Sequence, residues 1–200
     1  MGDLSVYGFI IRMDVGLKAT SSIFFNLIAS GTMALNTRVA DERDAAAIGD
    51  LTERAYRADG FLNSEKYAAR LRDAATRMAD AIVLVAELDG RIVATVTLAM
   101  HGSPWAEIAK PDELEVRMLA VAPEARRQGI AGKLMSDAMR HVQNLGLNAL
   151  VLSTETPMSG AHRLYEKLGY IRQPDRDWSV TGYELLVYRR NVDHPANSAT

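Results

Sequence analysis

The pair Asp89-Gly90 separates two apolar runs rich in β-branched residues, and it constrains the fold more than any other local feature of the chain. The runs cover Ala81–Leu88 and Arg91–Met100. An Asp-Gly pair between two such runs is typical of a tight β-hairpin. The sequence therefore predicts two antiparallel strands near its middle.

Helical and strand patterns alternate on both sides of this hairpin. Apolar spacing and capping residues predict helices at Asp41–Arg57, from Ser64 to about Met78, at Ile130–Leu145 and at Ser159–Leu168. Short apolar runs predict strands at Thr37–Ala40, Leu114–Val121, Ala149–Ser153 and Tyr183–Tyr188. The order βααβββαβαβ predicts helices packed on a mixed sheet.

Residues 1–36 lack this regular period, because glycines interrupt their short apolar runs. One interpretation is an extension that precedes a translation start at Met33. An export signal is the less favoured alternative, because Asn26 splits the apolar stretch and no clear cleavage motif follows. We expect the working domain to cover residues 37–190 and a polar tail to cover 191–200.

Composition excludes several classes of chemistry. The 200 residues include no cysteine, which excludes disulfides, Cys-ligated zinc and thiol nucleophiles and fits a cytoplasmic location. A net charge of −2 gives no overall attraction to nucleic acid or to an anionic membrane. The four histidines are not paired at metal-ligand spacing, and no P-loop or G-x-G-x-x-G motif is present. We therefore expect no metal site, no nucleic-acid partner and no membrane partner.

The segment from Leu114 to Gly132 is the most informative, because a strand leads through a short basic turn directly into the long helix. Free N–H groups of a first helical turn and the positive end of the helix dipole attract anions. Arg126 and Arg127 add charge, and Gly129 keeps the turn free of bulk. These residues leave two interpretations equally open: a phosphate-binding turn, or a plain strand-to-helix turn beside solvated arginines.

The same turn, RRQGIA at 126–131, matches the R/Q-x-x-G-x-G/A signature of the GNAT superfamily of acetyl-CoA-dependent N-acetyltransferases. Pro123 precedes it at the family's spacing, and residues 161–170, AHRLYEKLGY, resemble a later family helix that commonly ends in LYxKLGF. The resemblance covers residues 37–190 and agrees with the predicted order of elements. It implies an α+β fold with a mixed, largely antiparallel sheet flanked by helices.

The resemblance also implies acetyl-CoA as co-substrate and a primary amine as acceptor. In the family, strand backbone pairs with the pantetheine arm and N–H groups of the turn hold the pyrophosphate. The implied cofactor-binding residues are Leu119, Ala120, Val121, Arg126, Arg127, Gln128, Gly129, Ile130, Ala131 and Gly132. Without cysteine no Cys-borne acetyl intermediate forms, so transfer is expected to be direct.

Acetyl transfer needs a base for the amine, whose pKa is about 10.4, and an acid for the departing thiolate, whose pKa is about 8.5. By its spacing to the turn, Glu115 matches the strand glutamate of histone-acetyltransferase-like members, which implies that it is the base. Tyr165 falls on the family's helix tyrosine, which implies that it is the acid. Glu155 is a second candidate base. The residues alone also allow an ion pair between Glu115 and Arg117, and a core position for Tyr165.

The acceptor is not identified by the sequence. Met158 replaces an asparagine that contacts the cofactor in many relatives, so this contact is not predicted. Six aromatic and acidic residues suit either an amine-binding cleft or ordinary packing. The sequence favours packing for these residues, which are Tyr56, Asp59, Phe61, Tyr67, Trp105 and Trp178. Small-molecule and peptide amines both stay open, as does a homodimer. The alternative function is a non-catalytic acyl-CoA-binding module.

Overall fold

The computed structural model describes residues 34–62, 64–180 and 182–193. The expectations for residues 1–33 and for most of the polar tail lie outside these ranges. Within them the strands are β1 Leu35–Val39, β2 Ile82–Leu88, β3 Arg91–Met100, β4 Glu113–Val121, β5 Ala149–Glu155, β6 Ile171–Arg172, β7 Trp178–Val180 and β8 Tyr183–Asn191. The helices are α1 Ala45–Ala58, α2 Glu65–Arg72, α3 Ala74–Asp80, α4 Ile130–Asn144 and α5 Ser159–Lys167.

All the strands belong to one sheet, in the order β1-β2-β3-β4-β5-β8-β6, with β7 paired to β8. The pair β4–β5 is parallel, and the other pairs are antiparallel. Helix α4 connects the two parallel strands, as such a crossover requires. The predicted α+β fold with a mixed, largely antiparallel sheet is confirmed.

The predicted hairpin forms between β2 and β3. Asp89 and Gly90 have φ values of 51° and 75°, the left-handed conformation that a type I′ turn requires at both central positions. Leu88 then pairs with Arg91. Local turn chemistry is therefore sufficient to fix this part of the fold.

The predicted helix after Ser64 is in fact two helices. Ser64 caps α2 by accepting a hydrogen bond from the Tyr67 N–H, as its residue type predicts. Asp73 then ends α2 with ψ at 68°, and its carboxylate accepts the Thr76 N–H to cap α3. The break follows from the aspartate, because its side chain competes for backbone N–H groups and favours caps over helix interiors.

The sequence pattern does not predict two short strands, β6 and β7. Both β6 and β7 pair with β8 but contain only two and three residues, too few to show a strand period. The last strand is also longer than predicted, because it follows β5 as far as Asn191.

The main core lies between α4 and the sheet. Leu134, Ala138 and Val142 of α4 are fully buried against it, as their spacing predicts. Leu145 continues the same apolar spacing, but it follows the last helical turn and is 44% exposed. Gly146, with φ at 68°, ends the helix as expected. Among the described helices, none has the length and apolarity to cross a bilayer.

Candidate active site

Strands β4 and β5 separate halfway along their length. Their parallel pairing extends through Val116 and Leu152, after which both strands continue without pairing to each other. At this point the register of β4 against β3 shifts, and Met118 has a φ of 51°. A β-bulge bends its strand and strengthens the local twist, which accounts for the divergence. The edge of β4 from Arg117 to Val121 is left without a β5 partner.

The gap between the strands opens into a cleft of about 1260 Å³. Its wall includes parts of α1, α2, α5 and the first turn of α4 as well as both strands. A pocket for one small ligand commonly has a volume of about 300–1,000 Å³. This cleft is therefore larger than a pocket for one small ligand.

Three of the predicted cofactor residues, Leu119, Ala120 and Val121, line the cleft on the open edge of β4. Ala120 pairs with Thr95 of β3 on the other side. The free edge presents backbone donors and acceptors in extended conformation, which an amide-bearing chain can use to add to the sheet. The predicted contact with a pantetheine arm is chemically consistent with this placement.

The basic turn forms the other end of the cleft. Gly129 caps α4 with φ at 79°, and a Cβ there would meet no atom within 4 Å. Gly129, Ile130, Ala131 and Gly132 all line the cleft, and within the described residues their N–H groups donate to no acceptor. Free N–H groups at the positive end of a 15-residue helix form an anion-binding surface.

The side chains of the turn have different positions. Arg126 binds both carboxylate oxygens of Asp59, at 2.6 and 3.0 Å, and donates to the Ala55 carbonyl, so it joins the turn to α1. Arg127 lines the cleft, is exposed, and has no carboxylate within 4.0 Å in the described part of the chain. Gln128 is exposed and does not line the cleft. Arg127 is therefore the turn's available cationic side chain.

Glu115 is fully buried and does not line the cleft. Its Oε2 accepts three N–H groups of the loop before β4, from Glu107, Ile108 and Ala109, at 2.8 to 3.0 Å. Its Oε1 lies 3.2 Å from Nη1 of Arg117. The predicted base is therefore surrounded by donors of the protein itself, and the structure does not bring it together with the cleft.

Glu155 lies at the end of β5, where that strand has already left β4. It lines the cleft, is half-buried, and its carboxylate has no hydrogen-bond partner within the described residues. Burial raises the pKa of Glu155 above its ordinary value of 4.5. A carboxylate with free oxygens and a raised pKa has the properties of a general base.

Tyr165 lies on α5, lines the cleft and is only 7% exposed. Burial, with a smaller contribution from Tyr188, raises the pKa of Tyr165 to about 12. The rings of Tyr170 and Tyr188 each lie 5.9 Å from its ring and hold it in place. The phenol therefore keeps its proton at neutral pH and is available as a donor.

The residues considered for the acceptor divide into two groups. Four line the cleft: Tyr56, Asp59, Phe61 and Tyr67. The two tryptophans do not: Trp105 packs in a buried cluster with Leu71, Ala99 and Met118, and Trp178 packs against Val151 and Val187. Packing is therefore the observed role of both tryptophans.

Several cleft residues carry no local sequence signal. Lys66 and Arg70 on α2 lie in the wall with Glu107 and Arg117, although these elements are distant along the chain.

Met158 also lines the cleft, and its sulfur accepts the Thr154 hydroxyl at 3.5 Å. A family asparagine would offer an amide where this chain has a thioether.

Comparison with known proteins agrees with this geometry. The Acetyltransferase (GNAT) family matches residues 46–170. An S-(2-succino)cysteine N-acetyltransferase of Bacillus subtilis (strain 168) is 31% identical over 163 residues, which cover 78% of this chain and 96% of the relative.

Solved structures show the same fold. An acetyltransferase of the GNAT family from Staphylococcus aureus Mu50 aligns with a TM-score of 0.63 at 13% identity, over 80% of this chain and 99% of that chain. The PaiA N-acetyltransferase of Thermoplasma acidophilum, solved with coenzyme A, aligns with a TM-score of 0.60 at 16% identity, over 78% and 98%. Signature, splayed strands and sequence match lead to one conclusion: this chain belongs to the acetyltransferase (GNAT) family.

Proposed function

We propose that this acetyl-CoA-dependent N-acetyltransferase transfers the acetyl group directly to a primary amine, with Glu155 as general base and Tyr165 as general acid. One observation carries the assignment. The unpartnered carboxylate of Glu155 and the protonated phenol of Tyr165 both line the cleft between the splayed strands.

The cleft fits acetyl-CoA at two independent places. The free N–H groups from Gly129 to Gly132, together with Arg127, provide donors and positive charge for the pyrophosphate. The open edge of β4 from Leu119 to Val121 provides backbone partners for the amides of the pantetheine arm. The thioester then lies between β4 and β5, because the arm follows the strand edge into the gap.

The reaction removes two protons from the acceptor nitrogen and delivers one to the departing sulfur. The acceptor arrives as an ammonium ion, and Glu155, directly or through one water, removes a proton so that the nitrogen lone pair attacks the thioester carbonyl carbon. A C–N bond forms, the C–S bond breaks, and the sulfur leaves with the bonding electrons. After the attack the nitrogen carries a positive charge and loses its second proton to solvent water. Tyr165 gives its proton to the thiolate and recovers one from solvent. The raised pKa of Glu155 brings the base nearer to neutral pH, where it accepts a proton more readily.

Glu115 then has a positioning role. Its carboxylate holds the loop before β4 through three N–H groups and holds Arg117, which lines the cleft. It therefore shapes the cleft wall without contacting a substrate.

The test is a thiol-release assay with acetyl-CoA over a panel of small-molecule and peptide amines, performed beside calorimetric titration with CoA. We expect micromolar CoA binding and release that depends on the amine. Tyr165→Phe removes only the hydroxyl, so we expect it to lower kcat by about tenfold to a hundredfold while CoA affinity is unchanged. Tyr170→Phe removes a buried hydroxyl outside the cleft and keeps the ring that packs against Tyr165, so it is the matched control.

Two results decide against the proposal. CoA binding without release for any amine supports the alternative, a non-catalytic acyl-CoA-binding module. Wild-type kcat in Tyr165→Phe removes the tyrosine from the mechanism. A cytoplasmic location and a homodimer stay predictions, which cell fractionation and sedimentation of the full chain test.

A further inference from the structure

One wall of the cleft, apart from the proposed CoA-binding turn, carries three cationic side chains. This polar wall is defined by Tyr56, Lys66, Tyr67, Arg70, Glu107 and Arg117. It is supported from behind by the cluster of Leu71, Ala99, Trp105 and Met118, against which both tyrosines pack. The wall therefore belongs to one packed unit made from α1, α2, β4 and the loop before β4.

Two cations of the polar wall are not neutralised. Lys66 and Arg70 are exposed on α2, and neither has a carboxylate within 4.0 Å among the described residues. The guanidinium of Arg70 stacks over the Trp105 ring, with 5.0 Å between Cζ and the ring centroid. This stacking limits the freedom of the side chain and leaves its N–H groups available to a ligand.

The third cation, Arg117, is committed to carboxylates of the protein. Its Nη1 lies 2.7 Å from Glu107 and 3.2 Å from Glu115. Glu107 and Glu115 are thereby both paired with a cation of the protein. Neither is left to attract the ammonium group of an acceptor.

A fourth cation lies directly behind the wall. Arg77 is fully buried, and its guanidinium contacts the sulfur of Met118, a cleft residue. Its Nη1 donates to the Leu71 carbonyl, whereas Nε and Nη2 have no partner within the described residues. A buried charge without a counter-ion increases the positive potential at the nearby surface, because little solvent screens it.

Three cations in the wall, Lys66, Arg70 and Arg117, and Arg77 behind it thus outnumber the two carboxylates that pair here, Glu107 and Glu115. We propose that the amine acceptor also carries a carboxylate, which Arg70 and Lys66 bind while its amino group faces Glu155. The inference rests on the proposed function, since it specifies the acceptor of the same reaction. An amino carboxylate gains two charge-assisted contacts here, whereas a polyamine is repelled.

The test compares acceptors that differ only in the anionic group. The panel contains L-amino acids, the corresponding L-amino acid amides, and spermidine. The α-amine of an amide deprotonates more readily than that of the free acid, so intrinsic reactivity favours the amide. We expect kcat/KM to be at least about tenfold higher for the free acids, because a hydrogen bond to a charged group is worth that much or more.

Variants of the polar wall locate the effect. Arg70→Gln and Lys66→Gln are expected to raise KM for the free acids about tenfold and to leave the amides unchanged. Arg70→Lys keeps the charge and retains most of the preference, which separates recognition from a loss of packing on Trp105. Arg91→Gln, an exposed arginine of the hairpin outside the cleft, is the control and changes neither class.

If kcat/KM for the amides or for spermidine equals or exceeds that for the free acids, the inference is overturned and the proposed function stays intact. An equal loss with acids and amides in the two wall variants also overturns it. If no amine is acetylated, the proposed function fails, and binding decides the inference separately. Titration of the CoA-loaded protein must then show tighter binding of N-acetyl amino acids than of N-acetyl amino acid amides, and equal binding overturns it.

Discussion

The paired and the splayed halves of β4 and β5 both contain glutamates, but their carboxylates differ in hydrogen bonding. In the paired half, Glu113 and Glu115 are buried, and every carboxylate oxygen accepts donors from the protein. In the splayed half, Glu155 keeps its oxygens free of protein partners in the described residues and lines the cleft. A saturated carboxylate stabilises the fold, and an unsatisfied one beside a cleft is available for proton transfer.

The largest expected effect separates Glu155 from Glu115. Glu155→Gln removes the proposed base, so we expect kcat/KM to fall by about 10³-fold with an unchanged melting temperature. Glu115→Gln replaces an acceptor of three N–H groups, so we expect its main effect to be a loss of about 2 kcal/mol in the free energy of unfolding. Steady-state kinetics and urea unfolding measure the two quantities.

The opposite result would be a large loss of kcat/KM in Glu115→Gln and a loss of stability in Glu155→Gln. It would show that Glu115, and not Glu155, is the base. The amide variant keeps the size of each side chain, so a difference in kcat/KM reports on charge and proton transfer and not on packing.

The second prediction concerns Glu113, which binds Arg176 at 2.8 Å and Arg189 at 2.7 Å while almost fully buried. Glu113→Gln leaves two arginines without their counter-ion, so we expect a loss of about 3 kcal/mol in the free energy of unfolding. Glu124→Gln breaks an exposed pair with Arg54 and should cost less than about 1 kcal/mol. Equal losses would contradict the structural role of the buried site.

The same site predicts an acid dependence. Burial opposes ionisation of Glu113, but hydrogen bonds from Arg176, the Lys110 N–H and Arg189 outweigh it and lower its pKa from 4.5 to about 2. Because the folded pKa is depressed, the stabilisation is fully present above pH 4.5 and is lost as the pH falls towards 2. Unfolding measured across this window should be less pH-dependent in Glu113→Gln than in the wild type.

A smaller effect is expected at the proposed CoA-binding turn, around Gly129. Gly129→Ala places a side chain at φ 79°, a strained conformation that disturbs the free N–H groups. We expect about fivefold weaker CoA binding by calorimetry, in line with a cost of about 1 kcal/mol. Gly146→Ala has similar strain at φ 68° after the other end of α4 and should lower stability without changing CoA affinity. A loss of affinity in both variants would indicate general destabilisation.

The smallest effect is on the pH profile. A base must be deprotonated to act, and burial raises the pKa of Glu155, so the acid limb of kcat/KM should lie above pH 4.5. The pKa of Tyr165, at about 12, adds no basic limb near neutral pH. The residual activity of Glu155→Gln should lack the acid limb, and an unchanged limb would assign it to another group.

The sequence predicted those features that depend on neighbouring residues. The hairpin at Asp89-Gly90, the cap at Ser64 and the Gly129 turn all formed where expected. The break at Asp73 is also a local effect that the residue type indicates, although an apolar stripe crosses it. The two-residue strand β6 could not be predicted, because its only support is pairing with β8.

Site residues divide in the same way. The turn that holds the free N–H groups is contiguous, so its signature and its physics are both contained in a few residues. The residues next to Glu115 and Glu155 in the sequence do not indicate which of the two carboxylates lines the cleft. It depends on a loop whose N–H groups surround Glu115 and on the point at which β5 leaves β4.

By itself the sequence determined the α+β fold, the family and the glycine turn before α4, because turn residues, helix caps and glycine act over short distances. Only the tertiary structure decided which glutamate faces the cleft and which cations form the polar wall. The burial of a side chain, the number of hydrogen bonds it accepts and the net charge of a surface depend on residues far apart in the chain. No local sequence pattern therefore predicts them.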